Sequence, residues 1–253
     1  MKLKVLQWES SGFLNRFSRD FWDQIRHNVD VVTMSRVPER YLDDVKAHYP
    51  YFHYVNQNDR DDSTCMLLAS TRDIFSNVKT YKLPAYDKIK DIMPGIGSVA
   101  ISATVSNTQL ISVQPAFPVP VEKITDEDNV RDLTYVFENV ARNKNCAVIG
   151  DFHIQPGISK AHTGLIKKNK FVSHLDNVGT FSQQNDGGSW YTKDKETGKL
   201  AKKKDPWEHT IYVTNCDRCL TRGDLVVENI ICHHTPITDW SCHFPITYDL
   251  TVV

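Results

Sequence analysis

Short apolar runs recur along the whole chain, and two of them come directly after segments with helical spacing. The run 30–34 follows apolar residues that repeat at helical intervals, and the run 146–149 follows the amphipathic segment 126–142. A helix that leads into a buried strand is typical of α/β proteins, because the helix then packs on a face of the sheet. We therefore predict a mixed α/β fold.

The remaining runs predict a large β component. Strand-like patterns with polar or Pro/Gly-bearing turns between them cover the segments 2–8, 51–55, 64–70, 78–83, 97–105, 109–114, 209–213, 225–232 and 244–253. Such a series indicates antiparallel meandering in two packed sheets with helices outside. A second short helix is predicted at 42–49, and the stretch 152–206 is rich in loops. We expect residues 1–253 to form one domain with a long loop at about 176–206.

Composition limits the class of protein. The longest apolar stretch falls short of the roughly 18 residues that span a bilayer, so no membrane partner is expected. The formal net charge is −1, which does not indicate a nucleic-acid binder with an overall basic surface. Six dispersed cysteines favour reduced thiols, and the start of the chain shows no secretory signal. We therefore expect a cytoplasmic protein without disulfide bonds.

The segment 147–156, which reads AVIGDFHIQP, provides the strongest motif. It resembles the Gly-Asp-Phe-Asn motif of the endonuclease/exonuclease/phosphatase superfamily, whose members have a DNase I-like fold. Other landmarks of that superfamily are resembled, in the same order, by the segments 5–9, 31–37, 65–71, 111–118, 207–213 and 240–246. The resemblance covers nearly the whole chain. It implies a four-layered α/β sandwich, in which two mixed sheets pack face to face between outer helices.

The resemblance also implies metal-assisted phosphoester hydrolysis. A divalent ion, usually magnesium, would sit on carboxylate and amide oxygens and neutralise the phosphate. An aspartate at the position of Asp151 would orient or deprotonate the attacking water, and a histidine at the position of His243 would stabilise charge on the phosphoryl oxygens. These two residues match the superfamily pattern.

Most of the other metal-side positions depart from that pattern. Glu9 stands where the pattern has asparagine, Arg36 replaces the metal-binding glutamate, and His153 replaces the asparagine of the central motif. Cys242 stands where the last histidine is preceded by an acid, and the mid-chain histidine or tyrosine position falls near Ala116. The metal-side positions lose two negative charges through these replacements, so we predict a degraded metal site.

Two functions are compatible with this site. We predict a pseudoenzyme that binds or scaffolds a partner without a cofactor, in which Arg36 pairs with Glu9 and Asp151 in the place of the metal. Its partner would be a protein, a phosphorylated ligand or a nucleic acid. The alternative is an active phosphodiesterase or nuclease with Mg²⁺ or Mn²⁺ on Glu9 and Asp151, and with His153 and His243 in acid/base roles. So divergent a site also leads us to expect a fast-evolving genome, such as that of a phage or virus.

Two further features are candidates for binding. Cys216 and Cys219 have the spacing of a Zn²⁺ knuckle, although the fold that the resemblance implies places them after a strand that runs away from the active end, too far from Cys242 for one ion to bind all three. The aromatic residues Trp190, Tyr191 and Trp207 flank the lysine-bearing run 195–205 and are candidates for an exposed binding surface.

Overall fold

The computed structural model describes most of the chain. The described residues are 1–10, 22–57, 64–90, 97–117, 124–153, 159–175, 181–184, 191–193, 200–202, 211–214, 217–233, 243 and 245–253. Their strands, in chain order, are β1 Lys2–Glu9, β2 Val31–Pro38, β3 Tyr51–Asn56, β4 Thr64–Ser70, β5 Ser76–Lys82, β6 Val99–Val105, β7 Thr108–Gln114, β8 Cys146–Asp151, β9 Val172–Ser173, β10 Phe181–Gln184, β11 Tyr191–Lys193, β12 Leu200–Lys202, β13 Ile211–Thr214, β14 Asp217–Arg222, β15 Val226–Cys232 and β16 Ile246–Thr251.

Twelve of these strands form two six-stranded mixed sheets. The first sheet has the order β15-β16-β1-β2-β4-β3, and the second has the order β5-β6-β7-β8-β14-β9. Each contains one parallel pair near its middle, β1 with β2 in the first sheet and β7 with β8 in the second. The carboxyl ends of all four central strands therefore lie at one end of the sandwich.

Helices connect these strands. The α-helices with both ends described are α1 Leu42–His48, the single turn α2 Tyr86–Ile89, α3 Asp126–Tyr135 and α4 Ser159–Lys168, and residues 22–25 are also helical. Two 3-10 helices lie at Arg26–Asn28 and Glu39–Tyr41. Helix α3 begins at a capping box formed by Thr125 and Asp128 and continues into a π-helical turn, Val136–Val140. Among the described residues, no helix has the length and apolar character needed to cross a membrane.

Three apolar clusters hold the layers together. One lies between the sheets and includes Val5, Ile101 and Ile149. A second packs the outer face of the first sheet against α1, and a third packs the outer face of the second sheet against α3, α4 and the π-helical turn. The predicted four-layered sandwich is confirmed.

The sequence-based prediction of elements was wrong in two places. Helix α4 lies within the stretch predicted to be loop-rich, as do the short strands β10, β11 and β12. The predicted strand at 209–213 corresponds to β13, which pairs with β10 in a small separate sheet. Strand β14, which pairs with β8, was missed because charged residues at 217, 218 and 222 obscure the apolar pattern.

Candidate active-site region

Three buried carboxylates and a buried histidine meet at one end of the sandwich. Glu9 ends β1 and Asp151 ends β8, while Asp217 begins β14 directly opposite Asp151. His243 precedes β16, which runs antiparallel to β1. The exposed fraction of these four residues is between 1% and 6%. The fold therefore places the group in a low-dielectric environment, where charges interact strongly.

The ring of His243 lies among the three carboxylates. Its Nδ1 is 2.9 Å from Asp217 Oδ2, and its Nε2 is 3.5 Å from Glu9 Oε2 and 3.6 Å from Asp151 Oδ2. Burial alone lowers the pKa of this histidine, but the attraction of Asp217, Glu9 and Asp151 outweighs burial and holds the pKa well above its usual value. His243 is therefore an imidazolium cation at neutral pH.

The second histidine, His153, folds back onto Asp151. Its backbone adopts the left-handed region, with φ of 50°, and its N–H donates to Asp151 Oδ1 at 2.9 Å. The ring Nδ1 lies 2.7 Å from Asp151 Oδ2. Burial raises the pKa of Asp151, yet His153 and His243 overcome this effect and hold the pKa well below its ordinary range. Asp151 therefore remains a carboxylate.

Two buried glutamines fix the other side of the His153 ring. Gln57 Nε2 donates to Gln114 Oε1, and Gln114 Nε2 lies 3.4 Å from His153 Nε2. Gln57 Oε1 in turn accepts the backbone N–H of Arg36 at 2.8 Å. Gln57 donates to Gln114, and when Gln114 in turn donates to His153, the ring Nε2 accepts the hydrogen bond and Nδ1 carries the proton.

Arg36 contacts Glu9 across the parallel pair β1–β2. Its Nε lies 3.2 Å from Glu9 Oε1, and the side chain of Arg36 is 29% exposed whereas that of Glu9 is 1% exposed. Arg36 sits at a bulge in β2 with φ of 56°, and its carbonyl accepts the Ser10 hydroxyl at 3.0 Å. The guanidinium thus reaches the buried carboxylate from the solvent side. Asp151 contacts the two histidines.

The residues can be tested for their fit to a divalent metal. Asp151, Asp217 and His243 each offer one ligand atom, and these atoms lie within 4.8 Å of one another. Histidine binds metals only when it is neutral, however, and His243 is held as a cation by three carboxylates. The adjacent cavity, lined by Gln7 and Ser112 among others, has a volume of about 10 Å³, which accommodates roughly one water molecule. Magnesium usually retains several waters, which this cavity as it stands would not hold.

Asp217 is the candidate site residue that the sequence analysis missed. The Cys216–Cys219 segment was interpreted through its cysteine spacing and expected to lie at the end opposite the active end. That expectation was wrong, because β14 begins beside Asp151. Cys219 lies in the core between the sheets, where burial raises the pKa of its thiol to about 12, so it is poorly suited to bind zinc. A carboxylate immediately before a buried run was the available signal.

Several other predicted residues lie away from this cluster or outside the description. Cys216, Trp190, Trp207 and Cys242 are outside the described residues, and Tyr191 begins β11, for which only the backbone is described. Ala116 is buried, and its N–H donates to Asp132 Oδ2 at 2.9 Å. The polar side chain that this part of the chain brings to the site is that of Gln114, two residues earlier.

Comparison with known proteins gives similarity at the level of structure. No protein-family model and no curated protein matches the sequence. An endonuclease/exonuclease/phosphatase from Beutenbergia cavernae is similar over 98% of this chain and 71% of its own, with a TM-score of 0.64 and 14% identity. A humanized D. rerio TDP2 is similar over 99% of both chains, with a TM-score of 0.64 and 12% identity.

A DNA-bound structure belongs to the same group. The 3′ phosphatase NExo from Neisseria, bound to a product DNA hairpin, is similar over 97% of this chain and 98% of its own, with a TM-score of 0.61 and 16% identity. At such identities the similarity concerns the fold. The chain therefore has the endonuclease/exonuclease/phosphatase fold that its sequence motifs resemble.

Proposed function

We propose that this chain is a non-catalytic binding protein on a phosphoesterase-like fold, in which its own cations compensate the carboxylates of a former metal site. The observation that carries the proposal is the position of two side chains. Arg36 Nε lies 3.2 Å from Glu9, and the ring of His243 lies between Asp217 on one side and Glu9 and Asp151 on the other. Both cations belong to the folded chain and stay with the carboxylates permanently.

Charge counting supports the proposal. Among the described residues, Glu9, Asp151 and Asp217 provide three negative charges, while Arg36 and His243 provide two positive charges. A divalent ion would be repelled by both cations. At about 4 Å and an effective dielectric near 20, each such contact is of the order of 4 kcal/mol, and about 1.4 kcal/mol changes an affinity tenfold. Even a heavily discounted repulsion weakens metal binding by orders of magnitude.

The net charge of this cluster also indicates which kind of partner it could bind. A cluster with one residual negative charge favours a hydrogen-bond donor or a cation over a phosphate group. Of the predicted partners, a protein therefore suits this end of the sandwich better than a phosphorylated ligand. The surface predicted around Trp190, Tyr191 and Trp207 remains a candidate for that contact.

A second candidate is a metal-dependent phosphodiesterase with a remodelled site. It is favoured by the three convergent ligand atoms of Asp151, Asp217 and His243. Its requirement is that His243 gives up a proton that three carboxylates stabilise. Metal binding would then be weak and would release a proton.

Calorimetric titration of metal-free protein with Mg²⁺ and then Mn²⁺ distinguishes the two candidates. We expect no saturable binding to the wild type, and binding to Arg36→Glu, in which a carboxylate replaces the guanidinium. Asp151→Ala and the double variant Arg36→Glu/Asp151→Ala are the matched controls, since both lack a central ligand. Saturable binding by the wild type that Asp151→Ala abolishes, together with chelator-sensitive hydrolysis of a simple phosphodiester, would overturn the proposal.

A further inference from the structure

The end of the second sheet opposite the carboxylates brings three chain segments together. Strand β8 runs from Cys146 to Asp151 and β14 runs back from Asp217 to Arg222, so Cys146 and Arg222 pair at the far end. At about 3.3 Å per residue this end lies roughly 17 Å from the carboxylates. The segment after the π-helical turn and the segment after α4 end beside it.

Arg222 ties these segments together. Its guanidinium donates to the carbonyls of Ala141 at 2.5 Å, Asn143 at 2.8 Å and Asn169 at 3.4 Å. Its guanidinium carbon also lies 4.8 Å from the centre of the Phe171 ring. Side chains on the segments 141–145, 167–171 and 222–224 therefore share one surface.

This surface, which we name the far-end basic face, carries an excess of positive charge. Its cations are Arg142, Lys144, Lys167, Lys168, Lys170 and Arg222. Two carboxylates lie among them, with Glu138 2.7 Å from Lys168 and Asp224 3.5 Å from Lys144. The local excess of four positive charges stands in a chain whose formal net charge is −1.

Stabilisation of helix ends does not account for all of these cations. Lysines near a helix carboxyl terminus interact favourably with its dipole. Here, however, Arg222 already donates to three carbonyls of the segments that follow the helices. Arg142 donates its Nε–H to the carbonyl of Asn139 at 2.8 Å, and its guanidinium is otherwise exposed, as are the ammonium groups of Lys167 and Lys170. Among the described residues, none of these three cations forms an ion pair with a carboxylate.

We propose that the far-end basic face binds the phosphate backbone of a nucleic acid without sequence preference. A set of exposed cations that release counterions from a polyanion suffices for such binding. A lipid surface fits less well, since stable membrane binding requires an apolar contribution besides charge. Val172 is the one exposed large apolar side chain in the described segments 141–145, 167–173 and 222–224. The inference is independent of the function proposed for the carboxylate end.

The test is fluorescence anisotropy of a labelled mixed-sequence DNA duplex with the full chain over a range of salt concentrations. If about four phosphates are contacted, log K falls against log salt with a slope of about −3.6. The triple variant Arg142→Gln/Lys167→Gln/Lys170→Gln should bind at least tenfold more weakly, with a slope shallower by about 1 for each lost contact.

The matched control removes three exposed cations elsewhere, through Lys46→Gln/Arg72→Gln/Lys79→Gln. We expect it to stay within about twofold of the wild type. Circular dichroism confirms that each variant is folded. The inference is overturned if the wild type does not bind DNA at low salt, if both triple variants weaken binding equally, or if phosphatidylserine vesicles bind the face and DNA does not.

Discussion

Replacing Arg36 with methionine removes the guanidinium that compensates Glu9 and keeps much of its apolar stem. The two groups lie 3.2 Å apart, and Glu9 is almost fully buried. Removing one partner of a fully buried ion pair costs about 3–5 kcal/mol, because the other charge is left uncompensated. Arg36 is 29% exposed, and His243 Nε2 still lies 3.5 Å from Glu9 Oε2, so both effects reduce the cost. We expect the free energy of unfolding to fall by about 2 kcal/mol.

A double-mutant cycle with Glu9→Gln isolates the pairwise interaction. Urea unfolding of the wild type, both single variants and the double variant should give a coupling free energy of about 1–2 kcal/mol. The exposed pair Arg72–Asp30 is the matched control, with a similar distance of 3.1 Å but exposed fractions of 50% and 34%. Its coupling should be below about 1 kcal/mol. A coupling for Arg36–Glu9 no larger than this control would refute compensation by Arg36.

Three further perturbations test the architecture around the site. The fold raises the pKa of His243 well above its ordinary value of 6.5, so its stabilisation is complete below about pH 6.5 and declines as the pH rises. His243→Gln should therefore flatten the fall in urea stability above about pH 6.5. Gly150→Ala should destabilise the protein by at least about 3 kcal/mol in thermal unfolding, because the added Cβ would lie 1.8 Å from the carbonyl oxygen of Val113. Gly164→Ala, which adds a Cβ in open space on α4, is the control and should not destabilise the protein. Asp132 accepts three hydrogen bonds, and burial raises its pKa to about 6. The wild type therefore loses stability as the pH rises from about 4 to 6, so the stability deficit of Asp132→Asn should shrink over that range. A deficit that grows would contradict the raised pKa.

Sequence alternation predicted most strands of both sheets because nearly every strand is buried on at least one face. The motif around Asp151 and the departure at Arg36 were also visible, since both lie at the ends of strands with strong apolar patterns. Asp217 and the glutamines Gln57 and Gln114 were not. Their importance depends on strand register, which places Asp217 opposite Asp151 and brings two distant glutamines to His153. Local patterns carry no information about such pairing across the sheets.

The two ends of the second sheet carry opposite net charge, and this polarity constrains how a partner approaches. Counting Glu9, Asp151, Asp217, Arg36 and His243, the carboxylate end has one net negative charge, whereas the far-end basic face has an excess of four positive charges. A nucleic acid would be attracted to the far end and weakly repelled at the carboxylate end. The two ends act separately, because the separation of roughly 17 Å exceeds the Debye length of about 8 Å in physiological salt. Each end is then free to select its own partner. If both proposals hold, this polarity lets the chain bind a polyanion at the far end and a protein at the carboxylate end.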